Sequence, residues 1–252
     1  MLDRENEYIK MAEVERNHWW YKNLHRLVLD AIKSRFNSRD VGIIDAGCGT
    51  GGLLLFLKDK KYSNAMGFDL SHDGVDICRA KGLNVVQHDL SRISELYPRD
   101  RTDVIISNDT FYFFDMKMCA QIIKQCYQVL KPNGLLILNF PACDSFRGIH
   151  DLSVGIKHRF TKDDIHILFN SCKFDKIKMT YWPFLLSPAI YLERLRQRIK
   201  MKVNPSFKIS SDIDMPNEFL NSFLTGITYL ENTILPVKPI GSSLFIVANK
   251  SN

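Results

Sequence analysis

Through the middle of the chain, short runs of β-branched and other apolar residues alternate with longer stretches whose apolar positions recur at helical spacing. Residues 41–45, 65–68, 84–87, 103–107 and 135–138 are the short runs, and each reads as a buried strand. Between them, residues 53–60 carry helix formers, and a further helix is expected to open at Ser71 or Asp73 as N-cap and to end before Gly82. Residues 116–130 place Ile122, Cys126, Val129 and Leu130 at helical spacing until Lys131-Pro132-Asn133-Gly134 stops the helix. Such alternation predicts an α/β fold with a parallel sheet and helices on both faces. A helical arm over residues 3–36 precedes it. A helix over 161–172, a strand over 174–181 and a last strand over 244–248 follow, and the stretch of about sixty residues between those two strands is helical in pattern and long for a connection.

Composition changes this picture little. With 252 residues, 45% hydrophobic and 25% charged, the chain suits one large globular domain and excludes a disordered or fibrous one. No apolar run reaches the roughly 20 residues that cross a bilayer, and the nearest, 181–192, holds two prolines. The N-terminal Met1-Leu-Asp-Arg-Glu-Asn-Glu lacks the apolar stretch of a secretory signal, and the six cysteines form no C-x-x-C pair. A cytoplasmic location is therefore expected. Asp163 and His166 share a helix face, but two side chains make no metal site, and no metal is expected. The net charge of +6 is too mild to indicate nucleic acid as a partner.

The segment richest in chemistry is Ile43-Ile-Asp-Ala-Gly-Cys-Gly-Thr-Gly-Gly52. Glycines between a strand and a helix let the chain turn sharply and bring its backbone against a ligand. Gly47, Gly49 and Gly52, with Asp69 further on, also satisfy the G-x-G-x-x-G pattern of dinucleotide sites, so two cofactor classes compete for this loop.

The form Asp45-Ala-Gly47-Cys-Gly49-Thr-Gly51 resembles the glycine loop of the class I S-adenosylmethionine-dependent methyltransferases. Gly67-Phe-Asp69-Leu-Ser71, His88-Asp89-Leu90, Asp103-Val-Ile-Ile-Ser-Asn-Asp109 and the turn in Leu130-Lys-Pro-Asn-Gly-Leu-Leu-Ile-Leu138 follow in that family's order. The resemblance implies a Rossmann-like, doubly wound sheet of seven strands, mostly parallel, with an antiparallel last strand. It implies a single domain: a helical lid at 1–38, a cofactor-binding core at 39–181, a helical insertion capping the substrate at 182–241, and the last strand at 242–252.

Within that reading the cofactor is S-adenosylmethionine, with S-adenosylhomocysteine as product. Asp45 suits its ammonium and would repel a pyrophosphate. Asp69 would accept both ribose hydroxyls, and Asp89 or the backbone of Leu90 the adenine amino group. Ala46, Cys48, Gly49, Gly52, Leu70, Asn108 and Asp109 complete the expected cofactor contacts. The run Thr110-Phe111-Tyr112-Phe113-Phe114 supplies an aromatic wall, with Tyr112 as its cofactor contact. Phe113 stands where many relatives carry His. In the arm, His18-Trp19-Trp20-Tyr21 reads either as a lid over the cofactor or as packing of the arm onto the domain. It resembles a covering segment of the subgroup, which implies that the Tyr21 hydroxyl reaches the cofactor carboxylate.

Loops after the fifth strand would meet the methyl acceptor. His150 is the first candidate for general base, with Asp151 to orient it or touch substrate, and His158 is a second candidate. Thr161 and Asp164 read as a helix cap, and Arg159 resembles a subgroup arginine or makes a salt bridge. In the insertion, Leu192, Leu195 and Ile199 form an apolar stripe on a basic helix, consistent with a solvated roof over the substrate, a dimer contact or a membrane-surface helix. The roof is the favoured reading; a peripheral membrane contact is not, and the chain is expected as a monomer or homodimer. Together these features predict methyl transfer to a small molecule, most simply at a hydroxyl oxygen. A non-catalytic S-adenosylmethionine-binding partner and an NAD-dependent oxidoreductase are the alternatives.

Overall fold

The computed structural model describes residues 4–203 and 214–252. Two helices, α1 (Arg4–Val14) and α2 (Trp19–Arg35), lead into β1 (Ile43–Ala46). The alternating part runs α3 (Gly52–Asp59), β2 (Ala65–Asp69), α4 (His72–Ala80), β3 (Val85–Gln87), the short α5 (Ile93–Leu96), β4 (Thr102–Asn108), α6 (Met116–Val129) and β5 (Leu130–Pro141). Then come α7 (Ile149–Val154), α8 (Lys162–Phe169), β6 (Phe174–Trp182), α9 (Ser187–Val203), α10 (Glu218–Ile234) and β7 (Ser243–Lys250).

The seven strands form one sheet in the order β3-β2-β1-β4-β5-β7-β6. β7 alone runs antiparallel, pairing with β5 and β6, as expected for this architecture. The order reverses at β1 and β4, whose carboxyl ends diverge into a crevice where such sheets bind ligands. Alternation along each strand sends side chains to opposite faces. Ile105 therefore joins the core under α5, α6 and α8, while Val104 and Ile106 join the core under α2 and α3.

Local sequence sets the helix starts. Ser71 caps α4 by accepting from the Gly74 amide, and Asp115 caps α6 by accepting from that of Met118. Thr161 and Asp164 form a reciprocal capping box at α8. The Lys131–Gly134 turn is absorbed into β5 as an irregularity, with Thr102 opposite Leu130 but Val104 opposite Leu135.

The helices of the insertion form, and Leu192, Leu195 and Ile199 on α9 are exposed rather than turned onto the body of the protein. α10 lies against α2, and α9 against α7 and the turn at Asp144–Phe146. Among the described residues no helix is long and apolar enough to cross a membrane.

Candidate active site

The glycine loop is pinned over β2 because the amides of Gly47 and Cys48 both donate to the Phe68 carbonyl, at 2.8 and 3.0 Å. Gly47 has a φ of +78°, and a Cβ there would lie 2.6 Å from Thr110 Oγ1, so only glycine fits between the ends of β1 and β4. Gly49 is likewise left-handed, and its amide donates to Asp69 Oδ2 at 2.8 Å. Asp69 Oδ1 accepts from the Ser71 amide at 2.9 Å. The carboxylate at the tip of β2 is thereby locked against the loop.

Three carboxyl groups converge behind this loop. Asp45 is buried, and its carboxyl is pushed well above the usual range by burial and then by its neighbours Glu15 and Asp69. Glu15, also buried, accepts from the Thr50 hydroxyl and from the Gly52 amide at the start of α3, and burial raises its carboxyl too. Lys81 lies near enough to favour the charged form of Glu15, and its ammonium is spent on the Thr50 carbonyl at 2.9 Å. Such a cleft is short of positive charge, and a ligand bearing an ammonium and a sulfonium fits it. A pyrophosphate does not. Asn108 Oδ1 at the end of β4 adds a buried acceptor without a partner, aptly placed for a ligand donor.

The arm covers this loop, but through residues that the sequence motifs did not single out. On α1 the Tyr8 hydroxyl donates to Asp69 Oδ1 at 3.3 Å, and Met11 lies where a Cβ on Gly49 would come within 2.8 Å of it. Glu15 follows just after that helix. No motif in the sequence marks these contacts, which the packing of α1 on α4 creates. Tyr21 stands in an aromatic group with His18, Trp20 and His25, and Trp20 stacks on Trp182 at 5.3 Å. Asp89 caps the turn that follows it, accepting from the Ser91 amide at 2.8 Å, while Leu90 is buried and Leu70 exposed beside Asp69.

Beyond β4, Asp109 takes a left-handed backbone with φ of +49°. Its amide donates to the Asn139 carbonyl, and its Oδ2 accepts from Asn139 Nδ2, both at 2.9 Å. Asn139 is held in that orientation by Trp182, whose indole N–H donates to Asn139 Oδ1 at 2.9 Å. Burial pushes the Asp109 carboxyl up to about 7, against the opposing pull of Asn139, His150 and Arg159. His150 therefore sits close enough to Asp109 to feel its charge. The Tyr112 hydroxyl faces the same region: burial first, then Asp109, Tyr8 and Asp151, push its ionisation to higher pH. Phe111 packs on Phe140 in the core, Phe113 is exposed, and Tyr112 is buried near enough to Asp109 to feel its charge.

Two expected acceptor residues are engaged elsewhere. Asp151 does not orient His150. Both its oxygens bind Arg159, Oδ1 to Nε at 2.6 Å and Oδ2 to Nη2 at 3.0 Å, and Oδ2 also accepts from the Gly148 amide. Neighbours on a helix point about 100° apart, which turns Asp151 inward when His150 faces the cleft. Arg159 also donates to the carbonyls of Ala142 and Ser242, tying the end of β5 to the approach of β7. His158 pairs with Asp164 at 3.2 Å and supports the α8 cap. A separate cavity of about 390 Å³, walled by Phe146, Phe184, Leu185, Pro188, Tyr191 and Ile240, opens at the base of α9.

Comparison with known proteins agrees with this geometry. Residues 43–134 match the model of a methyltransferase domain. Over this segment the chain is similar to the class I S-adenosylmethionine-dependent methyltransferases. It is 31% identical over 144 residues to a malonyl-[acyl-carrier protein] O-methyltransferase of Halalkalibacterium halodurans, covering 54% of this chain and 52% of that protein. It is 24% identical over 171 residues to a phosphoethanolamine N-methyltransferase of Plasmodium falciparum, covering 63% of each. The chain thus spans about half to just under two thirds of the length of these curated relatives. The fold matches a solved S-adenosylmethionine-dependent methyltransferase of Archaeoglobus fulgidus with a TM-score of 0.55 at 17% identity, over 90% of this chain and 94% of that one. This methyltransferase-domain match, which includes the glycine loop, removes the dinucleotide reading of it.

Proposed function

We propose that this methyltransferase binds S-adenosylmethionine along the glycine loop and passes its methyl group to a hydroxyl of a small molecule held between Tyr112, Asp109 and His150. Bound there, the cofactor supplies a methyl group activated by a positively charged sulfur. Asp69 takes the ribose, Asp45 the ammonium, and Asp89 with Leu90 the adenine edge. The chain's remaining tasks are to orient the acceptor, exclude water and accept its proton.

The observation that carries the oxygen reading is the Asp109 carboxyl, with Asn139 on one oxygen, His150 nearby and an ionisation near neutrality. A carboxyl in that state can take a proton at physiological pH. An amine acceptor is the second reading, favoured by the same acid as a seat for an ammonium. Screening hydroxyl and amine pools for S-adenosylhomocysteine release, with the methylated product identified by mass spectrometry, tests both. Cofactor binding without release from any pool would support the non-catalytic partner instead.

Two binding predictions belong here. Asp69→Ala should weaken S-adenosylhomocysteine by about 1–3 kcal/mol through lost charge-assisted hydrogen bonds. Unchanged affinity by calorimetry would remove Asp69 from the ribose. Binding should also release protons, because an ammonium beside Asp45 favours the ionised form of a carboxyl that burial and like charge hold neutral. Affinity should accordingly fall as pH drops, and titration in buffers of different ionisation enthalpy should show net release. Proton uptake would place the ammonium elsewhere.

A further inference from the structure

The two helices of the insertion are amphipathic in the wrong sense for a soluble domain. On α9 the buried residues are the polar Ser187 and Gln197, the latter 7% exposed, and Gln197 Oε1 accepts from the Ile149 amide at 3.1 Å. Leu192, Leu195, Ile199 and Val203 all face outward, Val203 being 79% exposed. At about 100° per residue these four fall within about 80° of arc.

α10 repeats the inversion. Asn221 and Glu231 are buried, and both hold main chain of the body: Asn221 accepts from the Trp19 amide and donates to the Asn17 carbonyl, and Glu231 accepts from the amides of Phe184 and Leu185. Its outward face carries Phe219, Phe223, Leu230 and Ile234, within about 60° of arc, with Phe219 84% exposed. Polar groups that bind the body so specifically fix the rotation of both helices, so the apolar stripes are held outward by design of the contacts rather than by accident of packing. Surface apolar stripes of this extent mark a partner.

Charge identifies it. On α9 the stripe is bordered by Arg196 and Lys200 on one side and by Arg198 and Lys202 on the other, and Glu193 is the helix's one acid. Long basic side chains flanking an apolar stripe can lie along it and place their charges at the level of lipid headgroups. A second copy related by a two-fold axis would set these cations against themselves. We infer that α9 seats the protein on the surface of an anionic lipid bilayer, with its apolar stripe entering the boundary between headgroups and acyl chains. This docking is independent of which acceptor is methylated.

Co-sedimentation of the full chain with vesicles tests it. The protein should pellet with equimolar phosphatidylglycerol and phosphatidylcholine, far less with phosphatidylcholine alone, and less again at high salt. The pair Leu192→Glu and Ile199→Glu should abolish pelleting. Each of Lys200→Ala and Lys202→Ala should weaken it about fivefold. These positions are exposed, and an unchanged circular dichroism melt shows that the variants fold. Absence of pelleting with the anionic vesicles overturns the proposal. So does a dimer in analytical ultracentrifugation that the same leucine and isoleucine variants dissociate, since the stripe would then belong to a second copy.

Discussion

Asp109→Asn should lower turnover by about 10²–10⁴-fold while leaving S-adenosylhomocysteine affinity close to that of the wild type. The amide is isosteric and its oxygen can still accept from Asn139 Nδ2, so the loop should keep its shape. What it loses is the ability to take a proton. The wild-type rate should rise with pH and level off above about 7, where the carboxyl is ionised, and the variant should lack that limb. His150→Ala should also slow turnover with cofactor affinity kept, and comparison of the two pH profiles shows which group takes the proton. A wild-type rate in Asp109→Asn would remove it from the reaction.

Stability should move the other way. The Asp109 carboxyl ionises near 7 in the folded protein against an ordinary 3.8. Its stabilising contribution is complete below the ordinary value and is lost as pH rises through 7. Holding the charge at neutral pH therefore opposes folding by at most about 4 kcal/mol. Asp109→Asn should melt higher than the wild type above pH 7, and the gap should close as pH falls toward 4. A destabilised but less active variant would mean that the acid serves the fold.

Asp151→Ala should destabilise the protein by about 3–5 kcal/mol in urea unfolding, because it leaves the Arg159 guanidinium buried without its counter-charge. The loss should reach the site as well. Arg159 joins the end of β5, the Ser242 carbonyl and, through Asp151, the start of the helix that carries His150. Adding Arg159→Met should recover much of the stability by removing the unpaired charge, but not the geometry. A single variant as stable as the wild type would show that the pair is not what holds this loop.

The fold was legible because its signals are local. Short apolar runs marked the strands of the alternating part, and cap residues such as Ser71 and Thr161 marked helix starts by chemistry that acts within three residues. The glycine loop and Asp69 were legible for the same reason: a left-handed turn and an acid at a strand tip leave a mark at fixed spacing. The acceptor side was read less well. His150 and Asp151 are adjacent in the chain, yet one is near Asp109 and the other is bound to Arg159, and no periodicity distinguishes them. Asn139 and Trp182 carried no motif, although together they orient Asp109. The arm likewise drew attention to Tyr21, whereas Tyr8, Met11 and Glu15 reach the loop.

What the amino-acid order determined alone is the sheet of alternating strands and helices, the glycine turn at its switch point and the acid beside it, since each depends on steric and hydrogen-bonding preferences of neighbouring residues. Only the tertiary structure decided which carboxyl groups become neighbours, and so which of them are forced toward the neutral form, because that depends on burial and on charges far apart in the chain. It also decided the direction of α9 and α10. Their amphipathic pattern is plain in the sequence, but a pattern has no inside or outside until Gln197, Asn221 and Glu231 find the main chain they bind.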